Sequence, residues 1–248
     1  MSQKGFTLVE LAIVLMIIGL LIGGVLRGKE LLNNARVSST IKQVTNFDAA
    51  YVTFLNAYDA PPGDILSAAT RIPGCTSGNT NQCKPGDGDG MVGTPTEIYT
   101  GGQDAITTEN TQFWKHMALA HLITGVDSGA TAPVWGKSHP YGPLHGGFTA
   151  AQVNNGGGLQ KMDGLVLRLH ACLTCGNTED VGTGTGLGSP ASPKQALQID
   201  KKMDDGLPTS GNVQASAYGN GALVADCEEK YNEAREDGFC TMAFLIKK

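Results

Sequence analysis

Lys4–Glu30, KGFTLVELAIVLMIIGLLIGGVLRGKE, is the stretch that decides the architecture of this 248-residue chain. From Phe6 to Leu26 it carries a single ionisable group, Glu10. At about 1.5 Å per residue this run is long enough to cross a hydrocarbon core of about 30 Å, so it reads as a membrane helix. A secretory leader cut after its apolar run would show a small-x-small site there, and RGKELLNNAR follows instead. Lys4 precedes the run while Arg27, Lys29 and Arg36 follow it, a distribution opposite to the positive-inside rule for a helix with its N-terminus inside. The cysteines argue the other way and place the C-terminal portion outside the cytoplasm.

Helical periodicity continues past the apolar run. Val37, Ile41, Val44, Tyr51, Leu55 and Tyr58 recur at spacings of three, four and seven, with Lys42, Gln43 and Asn46 off that stripe. The first firm breaker is Pro61-Pro62-Gly63, so residues 6–58 are expected to form one helix of roughly 80 Å, apolar over 6–26 and amphipathic over 27–58. Globular helices average about 11–12 residues, so a helix of this length must protrude from its own domain. A protruding apolar half is stable only in a bilayer or against copies of itself.

Lys4, Gly5, Phe6, Thr7, Leu8, Glu10 and the apolar run after them resemble the class III leader and N-terminal helix of the type IV pilin family, which includes type II secretion pseudopilins. The resemblance covers about a quarter of the chain. It implies cleavage by a membrane aspartyl prepilin peptidase between Gly5 and Phe6, loss of a leader formed by residues 1–5, and methylation of the new Phe6 amine. It also implies a role for Glu10 in assembly, where the carboxylate of an incoming subunit neutralises the Phe amine of its neighbour. The physical case is consistent. A carboxylate near the middle of a membrane helix costs about 2.5 to 3.5 kcal/mol, less near an end. Opposite charges 4 Å apart gain about 4 kcal/mol at an effective dielectric of 20, before desolvation is subtracted. The alternative is a plain anchor whose Glu10 reaches back to the interface.

Gly19 and Gly23 form a GxxxG helix-packing signal. With Gly24 and Gly28 they also weaken the helix locally, so the region is a candidate for stretching on assembly. Many pilins carry a proline soon after the apolar run; Arg27 stands here where it would fall.

Composition bounds the remainder. Thirty-four glycines, 11 prolines and 6% aromatics point to a loop-rich domain over 59–248, and a net charge of −5 without a basic block gives no nucleic-acid-binding surface. Six cysteines fall into close pairs, Cys75/Cys83, Cys172/Cys175 and Cys227/Cys240, read as three local disulfides in an oxidising compartment. Zinc at Cys172 and Cys175 is the rival reading, and no second CxxC or HxxxH supports it.

Asp87 and Asp89 in DGDGMVGTPTE are spaced as alternate oxygen donors around calcium, with Glu97 seven positions after a glycine; an Asp/Gly turn is the simpler alternative. Asp204 and Asp205, in KKMDDGLP, are further calcium candidates beside the same bland alternative, and resemble DDG stretches of large pseudopilin-like proteins. Glu109–Thr124 reads as a helix with Phe113, Trp114, Met117, Ala118, His121 and Leu122 on its buried face and Gly125 as C-cap. His116 and His121, five apart, do not share a metal-binding side. Residues 126–160 and 176–193 read as long loops. Gly164–Cys172 is the clearest strand, with Gly211–Ser216 and Thr241–Lys247 as partners, and Ser192-Pro193 opens a helix running to about Asp204.

The expected fold is therefore α+β, a long protruding N-terminal helix on a small antiparallel sheet with disulfide-stapled loops. No GxSxG or HExxH is present, and GKS at Gly136–Ser138 lacks the earlier P-loop glycine because Thr131 stands there, so no enzyme is expected. The reading is a pilin-like structural subunit whose partners are other subunits, the prepilin peptidase and, before assembly, the inner membrane. Its globular domain would stand in the periplasm or outside the cell. The alternatives are a membrane-tethered or filament-tip binding module and an exported enzyme on a tether. Calcium is the candidate cofactor.

Overall fold

The computed structural model describes residues 7–76, 83–93, 106–153, 162–171, 190–217, 227, 229–235 and 240–247. Gly5, Phe6, Glu97, Cys172 and Cys175 lie outside the described residues. Helix α1 runs Leu8–Tyr58 without a break, through Gly19, Gly23, Gly24 and Gly28. Its first half is exposed on all sides: Leu8, Leu15, Met16, Leu20 and Val25 are each more than 60% accessible, and the 18-residue apolar window has a mean hydropathy of 2.7. From Val37 the helix enters the body, burying Val37, Thr40, Val44, Phe47, Ala50, Tyr51 and Phe54 at three- and four-residue intervals on one face. Asp59, in the left-handed conformation at φ 48°, caps it, its N–H donating to Leu55 O at 2.8 Å.

The body is an α+β arrangement in which this buried stripe packs with two short helices against one sheet. A single-turn helix, α2 (Ala68–Arg71), follows α1. Helix α3 (Glu109–Leu119) and helix α4 (Pro193–Met203) pack on α1, and strands β1 (Gly147–Val153), β2 (Gly164–His170), β3 (Val213–Ala217) and β4 (Cys240–Lys247) form an antiparallel sheet in the order β1-β2-β4-β3. Alternation assigns the faces: Phe148, Ala150, Leu165, Leu167, Leu169, Val213, Ala215, Met242 and Phe244 join the core under α1. Ala151, Val153, Val166 and Ala243 form a smaller cluster behind it with Met162. Both faces are buried, which is why β2 reads as a nearly unbroken apolar run.

Phe47 links three elements. Its ring lies 5.0 Å from Trp114 of α3 and 5.4 Å from Phe148 of β1, both edge-on. Two disulfides, Cys75–Cys83 and Cys227–Cys240, close loops of 8 and 13 residues at Cα separations of 5.5 and 5.7 Å. The second ties a loop to the start of β4.

Several expectations need correction, the first that Gly211–Ser216 partners Gly164–Cys172: β3 pairs with β4 and not with β2. Residues 126–160 are not all loop, because Gly147–Val153 is strand β1 and makes the sheet four-stranded. Its GFTAAQV is short of large β-branched residues, so its strand character comes from pairing with β2 over seven residues rather than from propensity. Helix α3 ends at Leu119, not Thr124. His121, expected on the buried face, is exposed and takes the left-handed position at φ 57°, its N–H bonded to Ala118 O and the Leu122 N–H to Met117 O. This is a Schellman cap with histidine where glycine is usual, so Gly125 is not the cap. α3 is buried nearly all round, Asn110, Thr111, Gln112, Lys115 and His116 included.

Gly63 explains the sharp exit from α1. At φ +94° it passes so close to the start of α3 that a Cβ would stand 2.5 Å from Glu109 O.

Truncating Phe47 to Ala removes the contact between α1, α3 and β1 and is expected to cost about 3–5 kcal/mol, read as a lowered urea midpoint of the full chain in detergent. An unchanged midpoint contradicts the central position given to this ring.

Candidate functional site

The site is built on the first turn of α1. Thr7 is the N-cap, with extended backbone at φ −79° and ψ 151°. Its N–H and its hydroxyl both donate to Glu10 Oε2 at 2.9 Å, and the Glu10 N–H donates to Thr7 Oγ1 at 3.3 Å. This is a reciprocal capping box. Thr7-Leu8-Val9-Glu10 has the T-x-x-E spacing of that motif, a signal present in the sequence and overshadowed by the apolar run around it. Glu10 therefore sits at the helix end where a negative charge is favoured by the helix dipole, and its cost is partly offset within the chain. Both of these bonds to the carboxylate go to Oε2. Cleavage between Gly5 and Phe6 would leave residues 7–10 intact, so the cap does not depend on the leader.

The acidic residues singled out as calcium candidates serve the loops. Asp87 Oδ1 accepts from Asp89 N–H at 3.1 Å, and Asp89 Oδ1 accepts from Met91 N–H at 2.8 Å, two successive Asx turns. Two carboxylates distant in sequence clamp this loop. Asp64, 2% accessible, accepts from Gly88 N–H at 2.6 Å and Gly90 N–H at 2.8 Å, and Glu109 accepts from Asp87 N–H at 2.9 Å and Gly93 N–H at 2.8 Å. Asp64, Asp87 and Asp89 bring carboxylate oxygens within 4.8 Å of one another, the spacing of one cation's ligands. Desolvation, with the charges of Asp89 and Asp87, raises the Asp64 pKa against the lowering effect of its glycine amides; Glu109 is raised chiefly by desolvation.

The second group is Asp200, Asp204 and Asp205 at the end of α4. Ser192 and Gln195 close a capping box at the other end of that helix. Asp204 Oδ2 accepts from the Asn212 N–H and from the Val213 N–H at 2.9 Å, and Asp205 accepts from Leu207 N–H at 2.8 Å and the Ser210 hydroxyl at 2.5 Å. Buried Asp200 accepts from Gly206 N–H at 3.0 Å and Tyr231 O–H at 2.7 Å. Acids at this helix end oppose the dipole, and these bonds provide the compensation by folding residues 205–213 into β3. Gly211 lies directly over Asp204, where a Cβ would collide with Oδ2. Asp64, Glu109 and Asp200 escaped the sequence reading because their partners are loop amides rather than a local motif.

His116 is part of the scaffold. Its Nδ1 accepts from Gly63 N–H at 2.9 Å and its Nε2–H donates to Lys84 O at 2.9 Å, which joins α3 to both loops. Cys75 and Cys83 lie beside it, and their sulfurs are bonded to each other. Burial pushes the His116 pKa down to about 4.

Residues 1–26 match the family model described as Prokaryotic N-terminal methylation motif. No curated protein and no solved structure matches the chain. The matched motif supports a type IV pilin-like precursor of the kind that prepilin peptidase processes.

An imidazole whose folded pKa lies below its unfolded value near 6.5 binds fewer protons when folded, so its contribution is complete above pH 6.5 and is lost as pH falls towards 4. For His116 the loss is on the order of 3 kcal/mol. His116→Gln, which keeps one acceptor and one donor, is expected to flatten the stability profile between pH 6.5 and 4 relative to wild type in urea titrations. The raised carboxyls of Asp64, Glu109 and Asp200 work in the opposite direction and cancel in that difference. Identical slopes contradict the buried neutral imidazole.

Proposed function

We propose that this chain is the precursor of a subunit of a type IV pilus or type II secretion pseudopilus. Prepilin peptidase cuts between Gly5 and Phe6, the new Phe6 amine is methylated, and α1 anchors the product in the inner membrane with its globular body in the periplasm. The subunit then leaves the bilayer for a filament in which the apolar halves of α1 pack together. The single observation that carries this reading is that the match over residues 1–26 coincides with the part of α1 that is apolar and exposed on every side. The body supports it by burying only the second half of that helix.

Within the filament Glu10 pairs with the Phe6 amine of a neighbouring subunit. The capping box and this pair are compatible, because the cap bonds use one carboxylate oxygen. They are also separable by substitution. Glu10→Gln keeps an oxygen for Thr7 and removes the charge, whereas Thr7→Ala keeps the charge and removes the cap hydroxyl.

With charge pairing as the assembly device, the Glu10→Gln chain enters the membrane normally and forms no filaments, scored by shearing and electron microscopy. Thr7→Ala, at a cost of about 1 kcal/mol to the helix end, still assembles. Normal filaments from Glu10→Gln, or loss of filaments from Thr7→Ala alone, would reverse the assignment and make the cap the essential feature.

A further inference from the structure

A cavity of about 550 Å³ opens where α1 leaves the body, between the helix segment 26–36 and the start of α4. Its volume falls in the range of small-ligand clefts. Leu26 lines it at the membrane end and Leu144 on the side of the body, and Lys29, Arg36 and Lys194 supply cations against one acid, Glu30. The Glu30 carboxylate is engaged by Arg27 at 3.4 Å. Gln195 of α4 reaches Asn33 of α1 at 3.5 Å, which holds the two walls together.

The position of the cavity along α1 identifies what reaches it. Leu26 is the last residue of the apolar run, and Lys29 and Arg36 stand about 4.5 and 15 Å further along the axis. The headgroup layer on each side of the hydrocarbon core is roughly 5–7 Å deep. With the apolar run in the bilayer, Lys29 lies at headgroup depth, and the Arg36 backbone stands about 8–10 Å beyond that layer, on the same cavity as Lys194. Leu26 thus marks the membrane end of the lining, with Lys29 the first cation beyond it.

We propose that this cleft binds the headgroup of an anionic phospholipid while the subunit waits in the membrane, with Leu26 against the acyl end, Lys29 at the phosphate, and the long side chains of Arg36 and Lys194 reaching the headgroup from its outer side. Lysine and arginine are the side chains suited to phosphate oxygens, arginine through its planar fork. The bound lipid would fix the height and rotation of the body over the bilayer before assembly. This inference rests on the membrane placement of α1 proposed above.

The test uses the full chain in nanodiscs of phosphatidylcholine alone and of phosphatidylcholine with phosphatidylglycerol. Lysine amines are acetylated briefly and quantified peptide by peptide. Lys29 and Lys194 are expected to react at least threefold more slowly in the anionic discs, while Lys201 and Lys202, exposed at the other end of α4, react equally in both. Lys194→Glu, at an exposed position, is expected to remove the protection of Lys29. Equal labelling in both discs, or an equal fall at all four lysines, overturns the proposal. Protection in phosphatidylcholine discs by inorganic phosphate alone replaces it with a free-anion site. Protection that instead rises with the number of chains per disc replaces it with a contact between copies. A chain that stays outside both kinds of disc contradicts the membrane placement, and the lipid site with it.

Discussion

A helix of 51 residues with an apolar first half presents more hydrophobic surface than its own domain covers, and this constraint organises the molecule. Burial begins at Val37, and from there to Phe54 one face of α1 closes the core. Everything before it is exposed, apart from a few partly covered positions near the junction. Apolar area removed from water is worth about 25 cal/mol per Å², so the exposed half has a strong drive to enter a bilayer or pack on other helices. The body acts as a fixed head on a helix whose free half seeks a partner.

The head is held by few regular elements and many stitched loops. Phe47, Tyr51 and Phe54 reach from α1 to the aromatic residues of α3 and the sheet, and carboxylates do much of the remaining work. Asp64 and Glu109 gather one glycine-rich loop, and Asp200, Asp204 and Asp205 another. Backbone amides in such loops have no ladder to join, and a buried unsatisfied amide costs 1–3 kcal/mol, so an acidic side chain that accepts two of them stabilises its loop despite its own desolvation. Thr7 and Glu10 repeat the principle at the start of α1.

Where the periodicity was strong, the sequence was readable. The α1 stripe, the GLVLRLH strand, the strands at β3 and β4 and the Ser192-Pro193 helix start all carry local signals that tertiary structure leaves in place, although β3 pairs with β4 rather than with β2. β1 was hidden because Gly147, Ala150 and Ala151 have little strand propensity and lie within a stretch dense in turn residues. The early end of α3 was hidden because His121, rather than a glycine, takes the left-handed cap. Asp64 and Glu109 were invisible for a different reason, since their amide partners lie 16 to 26 positions away. At the candidate site the sequence identified Glu10 and its surroundings, but not the local bond to Thr7, which changes its meaning from a misplaced charge to a capped one.

The measurement that bears most directly on this account is the intact mass of the protein isolated from its host membrane. Loss of residues 1–5 together with the added mass of one methyl group is the predicted result, with Phe6 as the new N-terminus on fragmentation. A chain that retains Met1 to Gly5, or one cut after the apolar run near Leu26, would contradict the reading of residues 1–26 as a processed assembly helix and remove the amine that Glu10 is proposed to meet.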